Sequence, residues 1–398
     1  MFHEGSIVQE RPRLRKRKRV ALIIETSNAY GRGILAGISD FVREHEPWSI
    51  YLPEGRRGDK PPGWLASWDG DGIIARIENA EIAAHVRDAR LPAVDVSAAR
   101  LLPELPWVET DDAQIAELAF THLHERGFKH FGFCGDVSFN WSRWRRDHFV
   151  NRVAESGATC SLFEFGVQVG TGVPWNQQQE ALAQWIRGLP RPTGVFACYD
   201  VMAQQLLDAS RAIAVAVPEE IAVIGVDDDE LLCNLSEPPL SSVVPDARRT
   251  GYEAASLLQR QMAGETLQPE PCLTKPRGVQ TRQSTDVLAI SDRHVAEALR
   301  FIREHASDGI TVADVLDRAR VSRRVLESRF RKVVGRTPHE ELLRARLTRV
   351  KLLLSETDLS IAQIAERTGY QHIEYLSAQF ARVLGMPPSQ YRQQMRNR

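Results

Sequence analysis

Seven short apolar runs, each followed by an amphipathic stretch, govern what this chain can fold into. VALIIE (20–25) precedes a helical segment from Asn28 to Glu46. WSIYL (48–52), GIIA (72–75), AVDV (93–96), HFGFC (130–134), GVFAC (194–198) and AVIGV (222–226) repeat the pattern, which lasts until about Val279. Brief runs rich in Ile, Val and Ala are strands covered on both faces, and the helical patterns between them are crossovers. The expected fold over this region is α/β with parallel sheet. Roughly 260 residues hold two such sheets more comfortably than one, hence two lobes. Pro106–Asp112 and Pro238–Pro245 look like crossings between them.

Past Arg282 the character changes. QSTDVLAISD has no strong periodicity and reads as a linker, and no strand pattern follows it. Instead an internal repeat appears. ITVADVLDRARV (310–321) matches LSIAQIAERTGY (359–370), with Val312 over Ile361, Ala313 over Ala362, Val315 over Ile364 and Arg318 over Arg367. One residue of slippage later, Leu326 matches Leu376, Phe330 matches Phe380, Gly335 matches Gly385 and Pro338 matches Pro388. Each unit is a short helix, a tight turn, a longer helix, then Gly and Pro to stop it. Gly369 suits a left-handed turn; Arg320 at the matching place predicts a somewhat different turn. The expected division is a basic arm over 1–19, an α/β region over 20–285, a linker over 286–292 and an all-α region over 293–398. The two units of the last cover about 310–334 and 359–384.

Charge follows the same division. The net charge of −1 conceals a balance of +7 over residues 287–398, −13 over 20–286 and +5 over the first 19. An acidic body with a basic end suits a sensor joined to a module that binds a polyanion. RPRLRKRKR (11–19) reads better as a charged tail than as an arm that grips DNA. The five cysteines are scattered with no C-x-x-C pair, the usage of packed thiols in a reducing compartment. No secretory signal or membrane helix is expected, so the chain reads as cytoplasmic.

A helix-turn-helix buries one face of its second helix and offers the other to the major groove. Leu326 with Phe330, and Leu376 with Phe380, are the expected buried pairs. In the first unit Arg323, Arg324, Glu327, Ser328 and Arg331 then face outward. In the second, Gln371, His372, Glu374, Ser377 and Ala378 line the early outward face. Arg reads guanine or neutralises phosphate, and Glu accepts from cytosine.

Two resemblances complete the reading. GRTPHEELLRARLTRVKLLL, LSIAQIAERTGY and FARVLGMPPSQYR resemble AraC/XylS-class transcription regulators over about 100 residues. Leu376 and Ala381 depart from the usual Phe and Lys of that class, and His372 replaces the common capping Asp or Ser. ACYDVMAQQLL, VPEEIAVIGVDDDELL, PPLSSVVPDARRTGYEAASLL and TRQST resemble the sugar-binding core of LacI-type repressors and periplasmic binding proteins, over nearly all of 20–285. Sensor first and reader last is the layout of the xylose operon regulators, and SNAY and WSRWRRDHF are similar to theirs. The resemblance implies two Rossmann-like lobes with the ligand in the cleft between them, and a transcription regulator, acting as an activator, that answers to xylose or a related pentose, with another monosaccharide as the alternative. It also implies double-stranded operator DNA, a small sugar, a second copy of the chain and RNA polymerase as partners, with no membrane.

A sugar cleft needs planar polar groups for hydroxyls and apolar rings for the sugar face. Asp227 ends the run AVIGV at the strand edge where α/β clefts hold ligands, and Asp200 follows GVFAC in the matching place. Each is either a ligand group or a helix cap. Resemblance puts Asp227 on sugar hydroxyls and Arg145 in the place of the sugar-contacting Arg of LacI-type cores. Asn28 and Tyr30 could reach the cleft floor, and Trp141 or Trp144 could stack. Asp111 and Asp112 read as an N-cap and first turn. No cofactor or metal is expected: His122 and His124 do not share a helix face, and no nucleophile or phosphate-loop motif appears. Only Asp200 with Asp227 could serve as an acid/base pair, so enzyme chemistry has no other carrier.

Overall fold

A computed structural model gives the fold and describes residues 17–165, 174–286 and 292–396. The first lobe opens with β1 (Lys18–Ile23), α1 (Ala29–Glu44), β2 (Trp48–Tyr51), β3 (Gly72–Ala75), α2 (Ala80–Ala89), β4 (Ala93–Asp95) and β5 (Trp107–Thr110). The second contains α3 (Asp112–His124), β6 (His130–Asp136), α4 (Asn140–Glu155), β7 (Thr159–Phe165), α5 (Trp175–Gly188), β8 (Thr193–Ala197), α6 (Asp200–Ala212), β9 (Ile221–Val226), α7 (Glu230–Leu235) and β10 (Ser241–Val244). The chain returns to the first lobe for α8 (Ala247–Met262) and β11 (Pro271–Thr274), then crosses again to add β12 (Gly278–Gln280) to the second.

The sheets run β11-β5-β4-β3-β1-β2 and β12-β10-β9-β8-β6-β7. Every pairing is parallel except β12 against β10. Leaving aside β11 and β12, both lobes have one order, a doubly wound sheet whose C-terminal strand ends form the ligand edge. The seven apolar runs are β1, β2, β3, β4, β6, β8 and β9. Both anticipated crossings fall where the chain changes lobe, and the third, through Lys275–Arg277, carried no signal.

Two helices knit the first lobe together. A Cβ on Gly37 of α1 would stand 1.8 Å from Arg248 O of α8, and one on Gly251 1.9 Å from Ile34 O. Bare glycine lets the two backbones touch. Lys18 and Arg19, placed in the basic arm by the sequence, already belong to β1: Lys18 registers with Trp48, and Arg19 N donates to Asp71 Oδ2 at 2.7 Å. Residues 1–16 of that arm lie outside the described residues.

The all-α region contains α9 (Arg293–His305), α10 (Val312–Ala319), α11 (Arg323–Val334), α12 (Pro338–Glu356), α13 (Ile361–Glu366), α14 (Ile373–Leu384) and α15 (Pro388–Arg396). It has two cores. Leu326 and Phe330 sit in the first with Val295, Leu299 and Ile302; Leu376 and Phe380 sit in the second with Ile364 and Tyr370. Helix α12 spans both, giving Leu342 to the first and Leu347, Val350 and Leu354 to the second. Its start is fixed by Pro338 and a capping box between Thr337 and Glu340. The turns are more alike than the sequence predicts. Arg320 adopts φ 53°, the same left-handed region as Gly369 at φ 73°. Glycine in the second unit answers to packing: a Cβ on Gly369 would lie 2.8 Å from Ala306 O.

Candidate functional site

The first lobe brings charge to the ligand edge. Arg76, just past β3, is 5% exposed; its Nη1 donates to Glu25 Oε1 at 2.5 Å and its Nη2 to Glu78. Burial opposes the Arg76 charge, but Glu78 and Glu25 keep it protonated. Burial also pushes Glu25 up, yet Arg76, Asn28 and Arg57 together hold it below the usual carboxylate range. Asn28 is a helix cap: its Oδ1 accepts from Gly31 N at 2.7 Å while Nδ2 donates to Glu25 Oε1 at 3.0 Å. Tyr30 lies beneath Arg76, ring centroid 5.4 Å from the guanidinium carbon, with its hydroxyl 2.9 Å from Thr110 Oγ1.

The second lobe answers with Asp227. Its backbone has φ 108° and that of Asp228 φ 48°, two non-glycine residues in succession on the positive side. Such conformations cost about 1–3 kcal/mol each and persist where the surroundings enforce them. Asp200 is the enforcer: it is 2% exposed, its Oδ1 accepts from Ser242 Oγ at 2.6 Å, and its Oδ2 accepts from Asp229 N at 2.8 Å and faces Cys233 Sγ at 3.4 Å. Ser242 Oγ in turn accepts from Asp228 N at 3.0 Å. Asp229, not Asp227, stands at the N-cap of α7. Arg145 is 5% exposed, donating from Nε to Asp112 Oδ1 and from Nη1 to Cys198 O, both at 2.6 Å. Burial raises the Asp227 carboxyl, while Arg145, Arg57 and Arg76, from both lobes, draw it back.

Of the seven cleft residues named from sequence, Asn28, Tyr30, Trp141, Arg145 and Asp200 are engaged by the protein itself, and Trp144 is half-buried against the core of the second lobe. Trp141 is 6% exposed, stacked on Phe139 at 5.0 Å, edge-on to Tyr199 at 5.6 Å and 4.9 Å from the Arg145 guanidinium carbon, so it is no open stacking platform. Asp200, with both oxygens taken, is a support for the Asp227 turn and forms no free acid/base pair with it. Asp111 is the N-cap of α3, accepting from Gln114 N at 3.0 Å, while Asp112 holds Arg145. Asp227 itself accepts no hydrogen bond and makes no ion pair among the described residues. Sequence reasoning missed Glu25, Arg57 and Arg76. Yet Glu25 and Arg76 follow apolar strands as Asp227 does, and the same rule applied to the first lobe finds them. A cavity of about 120 Å³ bordered by Glu25, Arg57, Arg76 and Glu78 adjoins them.

On the all-α region the outward faces are as expected. Arg323, Arg324, Ser328 and Arg331 of α11 are exposed, and Glu327 is half-buried beside Arg323 at 2.9 Å. Gln371, His372, Glu374 and Ala378 are exposed and Ser377 is half-buried. Ile373 and Tyr375 in the first turn of α14 are exposed too, which the sequence reading did not single out. His372 is the N-cap residue of α14 and makes no side-chain capping bond.

Ion pairs join the two regions. Arg303 of α9 stands 2.9 Å from Glu219, a 3% exposed carboxylate at the foot of β9, and its Nη2 donates to Asp286 O at 2.6 Å. Arg344 of α12 reaches Asp286 Oδ2 at 3.1 Å. Strand β9 thus carries Asp227 at one end and the contact with α9 at the other.

Comparison with known proteins divides the chain in the same way. Residues 19–113 match a family described as the XylR N-terminal domain, 120–285 a periplasmic binding protein-like domain and 315–394 a helix-turn-helix domain. The chain is 34% identical to the xylose operon regulatory protein of Escherichia coli K12 over 387 residues, covering 95% of this chain and 97% of that protein. It is 33% identical to the protein of the same name from Haemophilus influenzae over 382 residues, covering 94% and 98%. The solved structure of the xylose-binding transcription activator XylR superposes with a TM-score of 0.82 at 33% identity, over 95% of this chain and 98% of that one. The CelR–cellobiose complex, at 23% identity and TM-score 0.55 over 67% of this chain and 85% of that one, shares the sensor fold.

Proposed function

The chain belongs to the family of xylose operon regulatory proteins, and from that premise we propose that it activates transcription when xylose or a closely related pentose binds between its lobes. The observation that carries this reading is the convergence on Asp227. A half-buried, strained carboxylate without a hydrogen-bond partner from the described residues faces cationic groups from both lobes. Sugar hydroxyls both donate and accept, so they can satisfy Asp227 and the arginines together. Residues 20–285 act as the sensor and 293–398 as the reader, with the units at 310–334 and 359–384 entering successive major grooves. Arg323, Arg324, Glu327, Ser328 and Arg331 contact DNA from the first unit; Gln371, His372, Glu374, Ser377 and Ala378 do so from the second. The protein works in the cytoplasm as a homodimer, which multiplies the grooves engaged, and RNA polymerase is its further partner. Among the described residues no helix is long and apolar enough to cross a membrane.

Calorimetric titration of the full chain with xylose, arabinose, ribose and glucose tests the sensor. Asp227→Asn exchanges an acceptor oxygen for a donor, and a hydrogen bond to a charged group contributes about 1.5–3 kcal/mol. Xylose affinity is expected to fall roughly ten- to two-hundredfold, while DNA binding in gel shifts persists without sugar. Unchanged sugar affinity removes Asp227 from the site; absence of binding by every sugar removes the pentose reading.

A further inference from the structure

One arginine from the first lobe is seated among rings of the second. Arg57 lies on the loop between β2 and β3, where Thr26 N donates to Gly55 O at 3.1 Å and Asp59 N to Arg56 O at 3.2 Å. Its guanidinium carbon stands 5.3 Å from the centroids of Phe139 and Trp141 and 5.7 Å from that of Tyr199. Phe139 and Tyr199 occupy the N-cap positions of α4 and α6, with Trp141 in the first turn of α4. All three therefore belong to the ligand edge of the second lobe. On the other side Arg57 Nε is 3.9 Å from Glu25 Oε1, and that buried N–H has no hydrogen-bond partner.

We propose that Arg57 is the closing residue of the sensor, a guanidinium from one lobe seated in a three-ring box on the other. The inference rests on the sugar-sensing reading for its ligand, not for its geometry. A cation is attracted to the face of an aromatic ring, more strongly where water is excluded. The three ring contacts exist only while the lobes are together, so their free energy belongs wholly to the closed state. A sensor biased toward closure binds ligand more tightly in proportion to its closed fraction. The same arrangement explains why Trp141 is not open to a sugar face. Its ring is already the wall of the box, and the vacant Nε–H of Arg57 is left to meet a ligand hydroxyl.

Arg57→Met keeps an unbranched apolar stem and loses the charged guanidinium, and Arg57→Lys keeps charge. Small-angle scattering of the ligand-free full chain should give a larger radius of gyration for Arg57→Met than for the wild type, with Arg57→Lys nearer the wild type. Saturating xylose should restore compactness. The xylose dissociation constant of Arg57→Met should rise roughly three- to thirtyfold, with partial rescue by Arg57→Lys. Equal dimensions without sugar together with unchanged affinity would overturn the proposal, and tighter binding by Arg57→Met would make Arg57 an occluder instead. If no pentose binds the wild type, the sugar reading fails, and the ligand-free scattering still decides whether Arg57 closes the lobes.

Discussion

The two helix-turn-helix units share a skeleton and differ in almost everything they present. Leu326 and Phe330 in one, Leu376 and Phe380 in the other, are fully buried at the same spacing. Both second helices end on a left-handed glycine, Gly335 at φ 75° and Gly385 at φ 73°. Outside, α11 carries Arg323, Arg324, Arg331 and Lys332, whereas the second unit presents Gln371 just ahead of α14 and Ile373, Glu374 and Tyr375 on it, with Arg382 in its last turn. What must pack is held in common, and what faces outward is free to differ. The first unit should supply the charge-dependent grip on DNA and the second the reading of base edges and thymine methyls.

Four experiments test that contrast. The largest effects should come from the shared skeleton: Phe330→Ala and Phe380→Ala each cost about 3–5 kcal/mol. Because each ring lies in its own core, hydrogen exchange should rise chiefly in the unit that carries the change. Simultaneous melting of both would make α12 a rigid coupler and erase the distinction. Next come the turns. Gly369→Ala forces a Cβ against Ala306 O at positive φ and should destabilise by about 2–3 kcal/mol, whereas Arg320→Gly should stay within about 1 kcal/mol of the parent. Denaturant melts of the two variants compare them directly.

On DNA, Arg324→Ala should weaken binding by about 1–3 kcal/mol, and Arg331→Ala should lower the salt slope by about one if it holds phosphate. Gln371→Ala should leave that slope unchanged while relaxing base preference. Gel shifts at several salt concentrations on two operators separate these outcomes, and equal salt slopes for all three would end the division of labour. The smallest effect belongs to the caps. His372→Ser should alter stability by less than about 0.5 kcal/mol, because the matching Ser322 makes no side-chain capping bond either. A thermal melt suffices.

Six of the seven legible strands are buried on both faces, where burial demands unbroken apolar runs, and the edge strand β2 was legible from its aromatic and β-branched content. Strands β7, β11 and β12 lie at sheet edges, and β5 and β10 lie beside edge strands; such positions tolerate TCSLFEF and PCLT, which no run of Ile and Val announces. The exposed faces of the reader followed from helical period alone. The cleft was legible in part. Asp227 stood out by ending an apolar strand, but what surrounds it depends on which lobe comes opposite, and no sequence spacing encodes that. Asn28, Asp200 and Trp141 are polar or aromatic in the right places, yet capping, turn support and ring packing use the same residue types as sugar binding.

The return of the chain to its first lobe has a consequence for biosynthesis. Helix α8 and strand β11 complete the sheet begun by β1, and Thr274 Oγ1 donates to Glu109 O across 165 residues of sequence. A ribosome adding about 5–20 residues per second needs on the order of ten seconds or more to deliver the second partner after the first. Throughout that interval the nascent first lobe lacks the strand that caps β5, and for most of it the helix that covers α1, while all of the second lobe except β12 is being made. The first lobe therefore waits for its closing helix and strand until all of the second but β12 has been made, and a chain stalled or terminated before then leaves it open, with β5 as an unpaired edge available to chaperones or to neighbouring chains.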